Sequence, residues 1–494
     1  MFCQLAYLRY CLRARIRRAL DDLPVTLDDT YARALEDIGD QNWEFAHRLF
    51  QCVAVASRPL RVKELAEFLA FDFEGSTPTF LSEWRPYDPA HAVLSTCSSL
   101  LAVVTVDESP VIQFAHFSVK EYLTSGRLAE AKETVSRFHV SMIPAHTIVA
   151  QACLGVLLHL DENITRDGLE DFPLAEYAAE HWVKHARFES VASKVQDGMK
   201  RLFDPDKRHL SVWVWIYDPD GLHDGSESPA KACETPLHYA AICGIHDIAT
   251  FLIVEHSQDV NARGFFRDET PLLVTARRGN VEVARVLLEH GADREARDQF
   301  NWNPLEHAAR EGHVELVQVL LEYGADANAR DTEMLTPLYQ ATNEGVVRAL
   351  LKHGADVNAR SEQNKTPLHE AKIEEVAQVL LEHGADANAL DTRNRTPLHL
   401  ASEIGRVGVV RVLLEHGVDA NARNTNNATP LHLASGSDYQ EEEHLDVVRL
   451  LLQYGSDVHA LDNEGRTPFM IATEDENLPI MQLLLENGAE DHRN

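Results

Sequence analysis

Twenty-five histidines are scattered through the 494 residues. Two of them, His181 and His185 in H-W-V-K-H, fall one helical turn apart, the spacing at which paired imidazoles can hold a metal. A zinc protease also needs a glutamate after the first histidine as general base. Trp182 stands there, so the pair is not expected to be a zinc site. A serine hydrolase would show G-x-S-x-G, the sharp turn that presents its nucleophile, and a nucleotide hydrolase would show G-x-x-x-x-G-K-[ST], whose amides and lysine cradle phosphate. Neither string occurs. His238, His369, His399 and His432 each follow T-P-L and are expected to brace a neighbouring turn by hydrogen bonds. His290, His353, His383 and His416 each precede a glycine at a helix end, where positive charge suits the helix dipole. No catalytic residue, cofactor or metal is expected.

The elements holding these histidines recur. Asn301–Asp331 is one copy of a unit that runs from about residue 229 to the C-terminus, anchored at Pro236, Pro271, Pro304, Pro337, Pro367, Pro397, Pro430 and Pro468. Threonine before proline caps a helix whose first residue needs no N–H, as at Thr396-Pro397. Leu398 and Ala401 give that helix an apolar stripe, Gly405 turns the chain, and Val409, Val412, Leu413 and Leu414 line a second helix that ends at Gly417. Neither helix can bury its stripe alone, so the pairs must stack. With T-P-L-H, L-L-E-x-G-A-D and a period near 33, the unit resembles the ankyrin repeat, present in eight copies. In the copies starting at Pro337 and Pro367, the distance from proline to the leucine pair shrinks from 16 residues to 13. Their first helices are expected to be short, at Tyr339–Thr342 and His369–Lys372. After Ser435 the loop G-S-D-Y-Q-E-E-E-H is longer than usual and reads as a solvated acidic loop or, alternatively, as a docking site for a basic peptide.

Loops between such copies project as fingers, whose tips should carry aspartate, asparagine and glycine. Here Phe265 and Phe266 fall in one finger, Phe300 and Trp302 in the next, and Met334 in the third. Aromatic residues and arginine are enriched at interface hot spots, and Arg277, Arg278 and Arg310 lie on the adjoining first helices. These eight residues are the candidate partner-binding site, for an apolar segment with nearby carboxylates.

The formal net charge is −32. Residues 229–494 hold 23 Lys and Arg against 44 Asp and Glu, a net of −21. That field repels phosphate backbones and anionic lipid, so neither nucleic acid nor membrane is an expected partner. Seven cysteines, an odd and scattered set without C-x-x-C, suit a reducing compartment. The N-terminus places apolar residues before arginines, the reverse of a secretory signal, and no apolar run is expected to approach the roughly 18 residues of a membrane span. A cytosolic address follows, with the nucleus as the lesser alternative.

Ahead of the repeats, residues 1–40 read as helical, with Tyr31, Leu35 and Ile38 on one face. Between Trp43 and Ser125 come helices at Glu44–Ala56, Val62–Phe71 and near His91–Ser98, strand-like runs at Leu101–Val106 and Val111–Ala115, and a closing helix at Ser118–Leu123. Three helices and a two-stranded wing describe a winged helix. Its third helix would enter a DNA groove, but H-A-V-L-S-T-C-S-S-L has no lysine or arginine. Residues 129–228 read as a helical connector, with helices at Ala145–Leu160, Leu174–Ala186 and Val191–Leu202, closing in a Gly/Ser/Asp-rich hinge at Asp218–Ser228.

The strings L-P-V-T-L-D-D-T-Y-A-R-A-L (Leu23–Leu35), V-A-S-R-P-L-R-V-K-E-L-A-E-F-L-A-F-D (Val55–Asp72), L-S-T-C-S-S-L-L (Leu94–Leu101) and Q-F-A-H-F-S-V-K-E-Y-L-T-S (Gln113–Ser125) resemble the segment that follows the NTPase in fungal NACHT-ankyrin proteins, the fungal NLR-like family. F-D-P-D-K near Phe203 and W-V-W-I-Y-D near Trp213 look like its linker before the repeats. The resemblance implies an ankyrin sensor joined to a winged helix that relays the state of a signalling NTPase. Without a phosphate loop, hydrolysis does not carry over.

The expected architecture is therefore mainly α, a helical and winged-helix region followed by an ankyrin α-solenoid of about eight repeats. The divisions are 1–40 (helical tail of a lost upstream domain), 41–128 (winged helix), 129–228 (connector) and 229–494 (repeats). The expected function is a non-enzymatic scaffold or sensor that binds a protein partner on the concave and finger face of the array. The winged helix would relay to a signalling assembly, with an NTPase as a partner in trans. The alternative is a fragment of a nucleotide-dependent NACHT-type signalling NTPase.

Overall fold

The computed structural model describes residues 26–73, 78–97, 99–106, 109–221, 229, 234–265, 267–436 and 441–490. The helical reading of residues 1–25, most of the hinge, Phe266 and residues 437–440 lie outside them. Of the string expected as an acidic loop after Ser435, Glu441–His444 are not loop but open a helix, Glu441–Gln453. The chain forms two compact units, Met1–Gln258 and Asp259–Asn494.

In the first unit, Thr26 caps helix α1 (Leu27–Glu36) by accepting the Asp29 N–H at 3.1 Å, with Asp28 and Asp29 favourable in the first turn. Helices α2 (Trp43–Val55), α3 (Val62–Glu67) and α4 (Pro89–Cys97) follow. The wing is a sheet in the order β1 (Leu60–Arg61), β5 (Ser109–Phe114), β4 (Leu101–Val106), antiparallel, with Leu101 opposite Phe114 and Val104 opposite Val111. α5 (Phe117–Leu123) closes it. Between α3 and α4, in a stretch that holds Pro78 and Pro86, the chain also forms a short hairpin, β2 (Phe71–Asp72) with β3 (Thr79–Phe80). Two buried glutamates fasten the module. Glu64 receives both ends of the Arg58 guanidinium at 2.8 Å and the Arg61 N–H at 2.7 Å. Glu67 pairs with Arg85 and accepts the Leu174 N–H at 2.8 Å, which ties the winged helix to the connector.

The connector is built on helix α6 (Met142–His159), packed against α2 and the two following helices, α7 (Ala175–Ala186) and α8 (Val191–Phe203). α6 corrects the expectation that no run approaches a span's length. It has 18 residues and is long and apolar enough to cross a membrane by length and composition, yet its apolar side chains, Val149, Leu154, Val156 and Leu157 among them, are buried in the core of this unit. His185 donates or accepts at Nδ1 with His146 (2.9 Å) and at Nε2 with the Tyr177 hydroxyl (2.9 Å), which in turn accepts the Ser57 N–H at 3.1 Å. Burial lowers the His185 pKa to about 3, so the imidazole stays neutral. The W-V-W-I-Y-D string is a helix, α9 (His209–Ile216). Its buried Trp213 meets Trp182 and Phe203 and gives its indole N–H to the Ala179 carbonyl at 2.9 Å. The first repeat copy (Pro236–Cys243 and His246–Val254) belongs to this unit. Tyr239 lies edge-on to Trp213, and Lys200 bridges to Glu255 at 3.0 Å.

The second unit holds copies two to eight, each a helix opened by its proline and an antiparallel second helix. Left-handed glycines turn the chain in the full-length copies two, three and six, at Gly279, Gly312 and Gly405. The short copies four and five lack that glycine. Their first helices are single turns, Pro337–Gln340 and Pro367–Glu370, and the chain leaves them in extended backbone at Ala341 and Ala371. Leu320, Leu350, Leu380 and Leu413 on successive second helices are fully buried, the continuous core that stacking requires.

Candidate functional site

Every finger from copy three onward, copy five excepted, closes by one device. Six residues before the repeat proline, a side-chain oxygen accepts two backbone N–H groups. Asp298 takes those of Phe300 (2.8 Å) and Trp302 (2.9 Å), Asp331 those of Glu333 and Leu335, and Asp391, Asn424 and Asp462 repeat the pattern. Three residues before the proline the backbone turns left-handed, with φ of 62° at Asn301, 58° at Asn364, 55° at Asn394, 59° at Asn427 and 74° at Gly465. Asparagine and glycine are the residues that tolerate this region. Copy four puts Met334 there, at φ 62° and 40% exposed. In copy two Phe265 takes the place of the closing aspartate and is 79% exposed, while Asp268 is left-handed. Phe300 stands at the tip of finger three, 63% exposed. Large apolar side chains are thus exposed on three successive fingers.

The other expected site residues are more engaged. In the full-length copies two, three, six and eight, the residue two places before the proline meets the one six places after it. Glu269 holds Arg277 through both carboxylate oxygens (3.0 and 3.1 Å), and Arg395–Glu403 and Arg466–Glu474 are the same contact with the charges exchanged. In copy three the pair is Trp302 and Arg310, with the guanidinium 4.7 Å from the ring centre. Trp302 is accordingly half-buried, edge-on to His307 at 5.3 Å. Arg277 is paired with Glu269, and the two other expected cations, Arg278 and Arg310, are exposed.

Glu269, Asp298 and His307 bring three potential metal-binding atoms within 4.8 Å of one another, all buried. Arg277 occupies both Glu269 oxygens, and His307 Nε2 lies 2.9 Å from Asp298. Burial pushes the Asp298 carboxyl up, but the His307 bond and the Trp302 and Phe300 amides outweigh it and hold the pKa low. Glu269 thus already has its counter-ion in Arg277, which supplies the positive charge a metal would bring to it.

The fingers are also stitched together. The N–H five residues before one proline donates to the carbonyl four residues before the previous one: Gln299 to Arg267, Glu362 to Glu333, Thr392 to Gln363, Thr425 to Arg393 and Asn463 to Asn426, at 2.9–3.3 Å. Arginines add a second stitch, Arg330 to Arg360, Arg360 to Leu390 and Arg423 to Leu461. Among the described residues, neither stitch joins finger three to finger four. That junction is held lower down, where Glu295 accepts the Asp326 N–H and Arg294 donates to the Gly324 carbonyl, both at 2.9 Å.

Residues 24–135 match the family described as GPI inositol-deacylase, winged helix domain. Residues 263–331, 330–391, 372–460 and 426–494 match Ankyrin repeats (3 copies), and residues 233–265 match Ankyrin repeat. The chain is mainly helical, with an N-terminal winged-helix region and an ankyrin solenoid in its C-terminal half. It is similar to the azaphilone pigments biosynthesis cluster protein L of Monascus ruber, 29% identical over 295 residues, covering 56% of this chain and 61% of that protein. It is also similar to alpha-latrocrustotoxin-Lt1a of Latrodectus tredecimguttatus, 34% identical over 73 residues, 15% of this chain and 5% of the toxin. The chain therefore spans about three fifths of the first relative and a small part of the second. The crystal structure of the human ASB11 ankyrin repeat domain aligns over 45% of this chain and all of that one, at 26% identity and a TM-score of 0.41.

Proposed function

We propose that this chain is a non-enzymatic, cytosolic interaction protein whose finger and first-helix surface at copies two to four docks a protein partner. The observation that carries the reading is the exposure of Phe265, Phe300 and Met334 on three successive fingers, with Met334 held in a left-handed backbone conformation that the other described fingers give to asparagine, glycine or, in copy two, aspartate. A non-glycine residue in a strained conformation and exposed to solvent points to function rather than folding. Arg310, over the Trp302 ring, and Arg278, exposed in the last turn of the copy-two first helix, put positive charge on the same copies, so the partner presents an apolar segment flanked by carboxylates. The winged helix and connector, fastened by Glu67 and Arg85, then relay occupancy to a signalling assembly of the fungal NLR-like kind. The winged-helix match supports this placement, with a nucleotide-hydrolysing partner acting in trans. The test is quantitative affinity capture with the full chain, wild type against Phe300→Ala. A partner lost from the variant and kept by Leu390→Ala, an exposed apolar change on another finger, supports the reading. Equal capture by both would move the site elsewhere. Micromolar binding of ATP or GTP in equilibrium dialysis would instead favour the nucleotide-dependent alternative.

A further inference from the structure

In copies four to seven, the residue two places after the repeat proline sends a hydrogen bond into the next copy. His369, His399 and His432 accept at Nδ1 from the backbone N–H of Thr366, Thr396 and Thr429, at 3.0–3.1 Å. That fixes their proton on Nε2, which donates to the carbonyls of Arg395, Ala428 and Arg466 at 3.0, 3.2 and 3.1 Å. Tyr339 does the same with its hydroxyl, to Ala359 at 3.0 Å and to Lys365. Copy three has Glu306 in this place, 2% exposed. Its Oε2 accepts the Asn303 N–H at 2.6 Å, the part played elsewhere by Nδ1. Its other carboxylate oxygen, Oε1, is buried without a partner. The corresponding acceptor, two residues before the next proline, is the Leu335 carbonyl. A carboxylate has no proton to give it.

We propose that Glu306 is a proton-operated latch between copies three and four: protonated on Oε1 it donates to the backbone of copy four, as Tyr339 and the histidines do in their copies, and ionised it leaves the junction open. The same junction lacks both fingertip stitches, so little else holds the two tips together. Burial is the largest influence on the carboxyl and pushes its pKa up to about 7. The Asn303 N–H and Arg297, 3.7 Å from Oε2, oppose the shift, while Asp331 of the next finger and Glu295 add to it. On its own helix, neighbouring His307 is tied to Asp298, and across that contact Glu269 is tied to Arg277. A carboxyl raised in the folded state contributes stability that is complete below its unfolded value near 4.5 and lost as pH rises through 7. If the fingers dock a partner as proposed above, the latch sets the spacing of Phe300 and Met334. The latch itself does not depend on that reading.

Hydrogen exchange of the free full-length chain, corrected for intrinsic rates, tests it at Pro304–Glu311 and Pro337–Gln340. Wild-type protection there should fall roughly thirtyfold between pH 5.5 and pH 8, the ratio set by pKa values of about 7 and 4.5. Glu306→Gln keeps an acceptor for Asn303 and supplies a permanent N–H, so its protection should be high and level across that range. Glu306→His, the repeat's usual residue, should behave likewise. An unchanged pH slope in both variants, or lower protection than wild type at pH 8, would overturn the latch.

Discussion

Met334→Asn should make the protein more stable and a poorer binder at once. Met334 sits at φ 62° where five equivalent positions carry asparagine or glycine. The left-handed region costs an ordinary L-residue about 1–2 kcal/mol, of which asparagine recovers roughly half through its local hydrogen bonding. The equivalent amides add a contact: Asn364 Nδ2 donates to the Leu390 carbonyl at 2.8 Å and Asn427 Nδ2 to the Leu461 carbonyl at 2.9 Å. The introduced amide faces the corresponding Arg360 carbonyl, an exposed bond worth about 0.5 kcal/mol. Together these give a gain of about 1–1.5 kcal/mol. Urea unfolding of the full chain should show a raised midpoint with unchanged slope, and calorimetric titration should show weaker partner binding by about 1 kcal/mol or more. Unchanged or lower stability would refute the claim of strain, and unchanged affinity would remove Met334 from the docking surface.

Phe300→Ala, which opens no core cavity, should weaken the partner by about 2 kcal/mol while stability moves by less than about 0.5 kcal/mol; a large loss of stability would place the ring in the core. Hydrogen exchange should open the second unit first across Pro337–Glu382, where two single-turn first helices adjoin, and slower exchange there than in Asn301–Glu322 would contradict this. The first unit should respond to acid. His185 is neutral when folded, with a pKa of about 3 against 6.5, so its contribution is intact above 6.5 and is lost as pH falls towards 3. His185→Gln should flatten that dependence in tryptophan fluorescence of the Trp182–Trp213 cluster, and an unaltered acid transition would exclude His185 as its source.

The repeats were legible because their cap chemistry is local. Threonine or asparagine before the repeat proline starts a helix in every copy, and all eight copies begin at their proline. Shortening of copies four and five was readable from spacing, though the helices begin two residues earlier than the leucine count suggests. The wing was readable from alternation, and its second strand begins two residues earlier than expected, at Ser109, because Pro110 is tolerated where the strand starts. The β2–β3 hairpin was not readable, since two-residue strands in a Pro-rich stretch carry no period and depend on a distant partner. Nor was α9, whose run of Val, Trp and Ile is buried all round and gives no stripe.

Separating docking residues from scaffold needed the copies as one another's controls. In the sequence Trp302 and Phe300 are two aromatics of one finger. Alignment on the proline puts Trp302 at a position that makes an intra-copy contact in copies two, six and eight as well, whether the pair is Glu–Arg, Arg–Glu or Trp–Arg. Its ring therefore has a scaffold duty that Phe300 lacks. The same comparison isolates Glu306, since a buried glutamate on a first helix looks unremarkable until four neighbouring copies show a donor at that place. Both departures, with the missing stitches and Met334, fall on copies three and four. The fingers proposed to touch a partner are thus also those without a stitch between their tips among the described residues, and a partner that spans Phe300 and Met334 would supply that bridge.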